Sequence, residues 1–365
     1  MLLYCRQKTF FIKGAYMYYG DTNPFGRDSY RTLMIKDTRR AFSRFHFGIL
    51  AYVVSAYVIS ILFDAFLLIF AADSYEAFTS NIYYQWIMGV LPMYAVGLPL
   101  LYLTVRNMPV KKLEKKRMKI GEFLVIFAIA QTLMAIGNTV GTTLNGFFAA
   151  IKGDEITNTT SELIENSPIW LTIVVAVVIG PIIEEFIFRK LMIDRLSRYG
   201  CSVVILTSGI SFGLFHGNFY QFFYAALLGM LLAFVTIKTG NWLYSVALHI
   251  LINFFGSVAA MPFMDMAAEL EGALSALENG ALVDAAALIQ NASALISYLV
   301  IQYALIVAGA VFLALAIKNK WYSLKSTAEV NIPREDIATS IILNTGTLLF
   351  FGVSLVLFAV SIILG

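Results

Sequence analysis

The stretch LTIVVAVVIGPIIEEFIFRK, Leu171 to Lys190, decides how this chain is built. It is apolar up to two adjacent glutamates, Glu184 and Glu185, which are followed by Arg189 and Lys190. At 1.5 Å of helical rise per residue, about 20 apolar residues cross the hydrocarbon core of a bilayer, and the run that starts at Pro168 has that length. Carboxylates at such a depth are expensive to bury, so a pair of them marks a place where the chain does something beyond spanning.

Runs of the same kind recur outward from this one. The 365 residues are 59% hydrophobic and only 13% charged, more apolar surface than a soluble domain of this size could hide. Spans are expected at 47–72, 84–105, 121–151, 168–190, 242–260, 294–317 and 341–364, with a helical hairpin at 201–239. The fold class is therefore all-α, a polytopic transmembrane bundle of about eight or nine membrane helices. The runs are continuously apolar rather than alternating, which argues against a transmembrane barrel. Cys5 and Cys201 form neither a disulfide framework nor a metal-type spacing. Lys8 and Lys13 interrupt the first apolar stretch, so no secretory leader is expected and the first helix serves as its own insertion signal.

Charge sets the expected orientation. The tail before the first span has nine Lys/Arg and three Asp, and the connection 106–119 has seven basic residues and one glutamate. The loops 73–82 and 261–292 carry acids and no Lys or Arg, and 152–167 has one Lys against four acids. By the positive-inside rule the N-terminus and the segments 106–119 and 189–200 are cytoplasmic. The acidic segment 261–292 reads as two short helices broken at Asn279-Gly280.

Few ionisable groups lie within the apolar runs, and their spacing indicates which can meet. Glu185 and Arg189 are i,i+4 and share a helix face, which offsets part of their burial cost. His249 and Asn253 repeat that spacing, as do Phe212 and His216. Tyr199-Gly200 is a turn, with Glu184 sixteen residues before Gly200 and His216 sixteen after it. In an antiparallel hairpin such residues lie at one height, roughly 7 Å inside a boundary near Arg189. His249, nine residues past the break at Gly240-Asn241, reaches a similar depth. The hairpin is too short for two full crossings and should turn at Gly217-Asn218 inside the protein. Ala225, Gly229 and Ala233 offer a small-residue stripe for close packing, and Pro181 should bend its helix just before the glutamates. The expectation is a wet cavity opening at the basic, inner side. His46, beside Arg44, is read as interfacial, Glu122 likewise, and Asp64 either joins the cavity or pairs with a donor elsewhere.

This set suits amide hydrolysis, which needs an activated water, a proton for the leaving nitrogen and donors at the developing oxyanion. Glu184, His216, His249 and Asn253 can fill those roles. The residues EEFIFR, FGLFH and HILIN also resemble the EExxxR, FxxxH and HxxxN motifs of the CPBP family, in family order across 184–253. That family comprises CAAX prenyl endopeptidases and bacteriocin-processing or immunity proteins. The resemblance implies an intramembrane endopeptidase in which Glu184 and His216 activate water and His249 and Asn253 stabilise the oxyanion. By spacing, Arg189 holds Glu185 in place and Phe212 forms an aromatic wall one turn from His216. It leaves the metal question open: Glu184, His216 and His249 could ligate Zn²⁺, although no HExxH is present, and the reading leans to no obligatory cofactor.

The organisation expected from all this is a basic cytoplasmic N-terminal tail (1–46), N-terminal membrane helices and loops (47–160) and a CPBP-like catalytic core (161–260). An acidic outer loop (261–293) and C-terminal membrane helices (294–365) complete it. The partners are a peptide or protein substrate at the membrane and the lipid bilayer, with no nucleic acid; the basic run 106–119 marks orientation and anionic-lipid contact. The location is the plasma membrane of a prokaryote, with the site opening to the cytoplasm. Two other functions fit the same residues: a catalytically idle scaffold or bacteriocin-immunity protein, and a transporter using the buried acids and histidines as a proton relay.

Overall fold

The computed structural model describes residues 10–12, 15–17, 27–280, 283–321, 323–324, 328–330 and 332–365. Apart from a short antiparallel pair, Phe10–Ile12 with Ala15–Met17, its regular elements are helical. Among the described residues, eight helices are long and apolar enough to cross a membrane. The expected all-α polytopic bundle is what the chain forms.

Helix α1, Arg27–Phe70, starts well before the expected span boundary at 47. The reason is local: no Gly or Pro lies between Asp28 and Phe47, so nothing stops the helix at the membrane surface. The rest of the 1–46 tail lies mostly outside the described residues. Helix α2, Ile82–Val105, contains Pro92 and just after it a widened π turn at Met93–Gly97. Helix α3, Ile120–Lys152, is capped by Glu122, whose side chain accepts from the Lys119 N–H. A short helix, α4 (Thr159–Glu165), precedes the glutamate helix α5, Ile169–Tyr199.

The hairpin after α5 is built on three breaks foreseen from glycine. Gly200 (φ +122°) separates α5 from α6, Cys201–Phe215, and Gly217 (φ +68°) separates α6 from α7, Phe219–Thr239. Asn218 caps α7 by accepting from the Gln221 N–H. Gly240 (φ +62°) then opens α8, Leu243–Glu278. Helix α6 has only 15 residues and cannot cross alone. It lies close against α7: a Cβ at Gly209 would stand 2.7 Å from the Ala226 carbonyl oxygen, and one at Gly229 3.0 Å from the Gly209 Cα. The small-residue stripe Ala225, Gly229 and Ala233 is buried against this contact.

The acidic segment differs from expectation in one respect. Its break falls at Asn279–Gly280 as expected, with Gly280 at φ +76°. However, α8 continues unbroken enough to reach Glu278, and α9, Ala285–Lys318, joins the second expected short helix to the next span. Asp284 caps α9, and the alanine-rich start gives the helix no reason to stop before the membrane. Phe263 stacks on Tyr298 at 4.0 Å and Asn291 donates to Glu269, so the two arms lie side by side. Helices α10, Arg334–Ile341, and α11, Thr345–Leu364, complete the chain.

Helix α7 packs on α3, which carries α9 on its other side, while α1 lies against α2 and α11. Two apolar clusters result. One joins α1, α5, α6 and α11 through Phe42, Phe45, Phe188, Phe212 and Phe350. The other joins α3, α7 and α8 through Phe127, Leu232 and Leu248.

Candidate active site

The glutamates sit on an ordinary helical turn between two π turns, Ile173–Ile179 and Phe186–Leu191. Pro181 has no N–H to give, and the widened turn before it takes up the mismatch: the Gly180 N–H bonds the carbonyl of Val175, five residues back. The expected bend therefore takes the form of a π turn. Each extra residue rotates the remainder of the helix by about 100° around its axis, so the two turns set which way Glu184 and Glu185 face.

Glu185 and Arg189 are both fully buried, with Arg189 Nε 3.1 Å from Glu185 Oε2. The N–H is not aimed for a linear hydrogen bond, so this contact is an ion pair rather than a hydrogen bond. Arg189 also donates from Nη1 to Ser208 Oγ (3.0 Å), and its guanidinium carbon lies 4.9 Å from the centre of the Phe212 ring. The second carboxylate oxygen of Glu185 lies 3.0 Å from His249 Nδ1. Glu185 is thus held from one side and holds an imidazole on the other.

His249 stands between both acids, because its Nε2 is 3.7 Å from Glu184 Oε2. With the Nδ1–H given to Glu185, the Nε2 faces Glu184 and the cavity. His216 donates from Nδ1 to the Phe212 carbonyl (2.7 Å), which leaves its Nε2 as the outward nitrogen. Glu184 is near enough for its charge to act on this ring. Phe212 meets both imidazoles edge to face, at 4.9 Å from His216 and 5.7 Å from His249. Asn253 donates from Nδ2 to the carbonyl of Ala176, on the first π turn. The structure therefore brings together all seven residues singled out by sequence.

Glu184, His216, His249 and Asn253 line one cavity of about 610 Å³, a size usual for ligand sites. Its other walls were not foreseen. Tyr52 comes from α1, Trp86 and Tyr94 from α2, and Gln221 and Tyr224 from α7. A signal for Tyr94 was present: it lies two residues past a proline in a span, where broken helices line cavities. Asn158, Ser161 and Ile164 of the α4 region also line the cavity. Beyond the glutamates, Phe188, Leu191, Met192, Ile193 and Leu196 of α5 are all buried in the apolar core.

Among the described residues, no three His, Cys, Asp or Glu side chains are gathered so as to hold a metal ion. Both free histidine nitrogens are chemically suitable, but the set Glu184, His216 and His249 does not form a ligand cage as placed.

The remaining polar groups find structural partners. Asp64 accepts from the Tyr84 hydroxyl, which ties α1 to α2. His46, read as interfacial, is enclosed by protein rather than exposed. It is 1% exposed, with Nε2 3.0 Å from Ser211 Oγ, Nδ1 2.8 Å from Thr347 Oγ1, and its ring stacked on Phe350. The reason is that α6 and α11 close over α1 at that level, which the sequence around His46 does not reveal.

Residues 166–255 match a family model described as "Type II CAAX prenyl endopeptidase Rce1-like". Over 156 residues the chain is 25% identical to a Bacillus subtilis (strain 168) protein described as "Putative membrane peptidase YdiL", an alignment covering 42% of this chain. The chain spans 63% of the length of that relative. No solved structure matches. The matched segment contains all seven residues of the site, whereas Tyr52, Trp86 and Tyr94 lie outside it.

Proposed function

From the place of segment 166–255 in the CPBP family of membrane peptidases, we propose that the chain is an intramembrane endopeptidase acting on membrane-associated peptides or proteins. The observation that carries this reading is His249 set between Glu184 and Glu185 at one end of a cavity shared with His216 and Asn253.

A water held between Glu184 and His216 Nε2 loses a proton to the Glu184 carboxylate as its oxygen attacks the scissile carbonyl carbon. The carbonyl π electrons move to oxygen, and the oxyanion is met by the second Nδ2–H of Asn253 and by His249. Because His249 gives its Nδ1–H to Glu185, it can donate from Nε2 only when the ring carries both protons. When the tetrahedral intermediate collapses, the C–N bond breaks and Glu184 returns its proton to the leaving nitrogen. Glu185 and Arg189 touch no reacting atom in this scheme; they orient His249, as the third member of a catalytic triad orients its base.

The location proposed is a prokaryotic plasma membrane with the basic ends in the cytoplasm. Since the cavity extends towards α4, the substrate reaches the site from within the bilayer or from the opposite face. The test is Glu184→Gln in purified protein, using a substrate identified by comparing membrane peptides of wild-type and variant cells. Loss of cleavage by at least about a hundredfold is expected on the scale of general acid–base catalysis; unchanged cleavage ends the proposal.

A further inference from the structure

A second concave site lies apart from the first, where α2 ends and α11 begins beside the unbroken helix α1. It is an open groove of about 650 Å³ between α1, the end of α2 and the start of α11. Arg39, Arg40 and Arg44 of α1 line it, and all three are exposed. Arg40 and Arg44 are i,i+4, so two like charges repel along one helix face. Among the described residues no carboxylate lines the groove and none of the three arginines has an ion pair. Asp336 of α10 is close enough for its charge to interact with Arg39, but it already accepts from Arg31, which Glu335 also meets. The groove is therefore a place of unbalanced positive charge.

Two further features select the ligand. Thr345, the first residue of α11, lies in the groove, and the positive end of that helix adds to the arginine field. One turn deeper, Phe47 and Leu343 form an apolar rim, 39% and 55% exposed. They stand where Arg44 gives way to the apolar span of α1. A soluble anion would use the arginines and leave this rim bare. An amphiphile with a charged head and an apolar body would cover both.

We propose that this groove binds the phosphate headgroup of an anionic phospholipid, with the arginines on the phosphate and Phe47 and Leu343 against the upper acyl chain. The lipid would bridge α1 and α11, which already meet through the bond from the Gly346 N–H to Ser43 Oγ (2.9 Å). This inference is independent of peptidase activity.

The experiment measures the thermal unfolding midpoint of the full chain in detergent, with phosphatidylglycerol, phosphatidylcholine or inorganic phosphate added. Phosphatidylglycerol is expected to raise the midpoint of wild type and of the control K112Q/K115Q, whose changed charges lie on the 106–119 segment. Phosphatidylcholine should not. In R39Q/R40Q the phosphatidylglycerol shift should be lost, and in R40Q alone it should be reduced, which covers the case of a poorly folding double variant. Added salt should diminish the wild-type shift. A full shift in R39Q/R40Q, or an equal loss in K112Q/K115Q, overturns the site. An arginine-dependent shift with inorganic phosphate that phosphatidylglycerol does not exceed overturns the lipid assignment in favour of a soluble anion.

Discussion

Replacing Arg189 with methionine removes the cation facing Glu185 while roughly keeping the volume of the side chain. Both residues are fully buried, 3.1 Å apart, in a protein whose surroundings include lipid rather than water. Breaking such a pair from one side costs about 3–5 kcal/mol, because the remaining charge is left unpaired in a medium of low dielectric. The variant also gives up the hydrogen bond to Ser208 and the contact over Phe212. His249, 3.0 Å from Glu185, still offers one partner, which sets the expectation at the lower end, about 3 kcal/mol. Glu185→Gln should cost a similar amount by stranding Arg189. The double variant Glu185→Gln/Arg189→Met leaves no buried charge, so it should lose far less than the sum of the two. The assay is denaturant unfolding in detergent for all four members of the cycle, with cleavage measured alongside. The double variant should recover most of the stability yet remain impaired in cleavage, since His249 has lost the group that orients it. Additive stability losses, or singles costing under about 1 kcal/mol as an exposed pair would, would refute the argument that this pair is a buried, mutually dependent unit.

Other changes probe the frame around it. His46→Ala should cost about 1–3 kcal/mol by leaving Ser211 and Thr347 without their buried partner, read from the thermal midpoint; an unchanged midpoint would return His46 to the surface. Gly209→Ala should destabilise by about 1–3 kcal/mol, since the added methyl meets the Ala226 backbone of α7, again by thermal unfolding. Asp336 lies outside the membrane spans, and the hydrogen bond from Arg31 Nε (2.6 Å) holds its carboxyl below the ordinary carboxylate range. A lowered folded-state value means its contribution is present above the unfolded pKa, about 3.9, and lost as pH falls through the folded one. Asp336→Asn should therefore flatten the acid side of the stability–pH curve below about pH 4, and an unaltered curve would contradict this.

Much of the bundle was readable because its signals are local. Membrane spans follow from the length of apolar runs, and the breaks at Gly200, Gly217, Gly240 and Gly280 follow from residues that alone take positive φ without strain. The pairing of Glu185 with Arg189 is a property of one helical turn, so i,i+4 spacing sufficed. Equal distance from a turn was enough to bring Glu184 and His216 to one cavity.

The linear order of residues could not decide which helix stands beside which, or by what rotation. The placement of His249 between two acids depends on two π turns that redirect the face of α5, and no residue type announces such a turn unambiguously. The burial of His46, the capture of Asp64 by Tyr84, and the walls supplied by Tyr52, Trp86 and Tyr94 all join elements distant in sequence. The contribution of the α4 region to the cavity wall was likewise a tertiary matter, because Asn158, Ser161 and Ile164 reach it only through packing. Chemistry-bearing residues and chain breaks are properties of the residues themselves; enclosure, orientation and the path to the site arise only when helices pack.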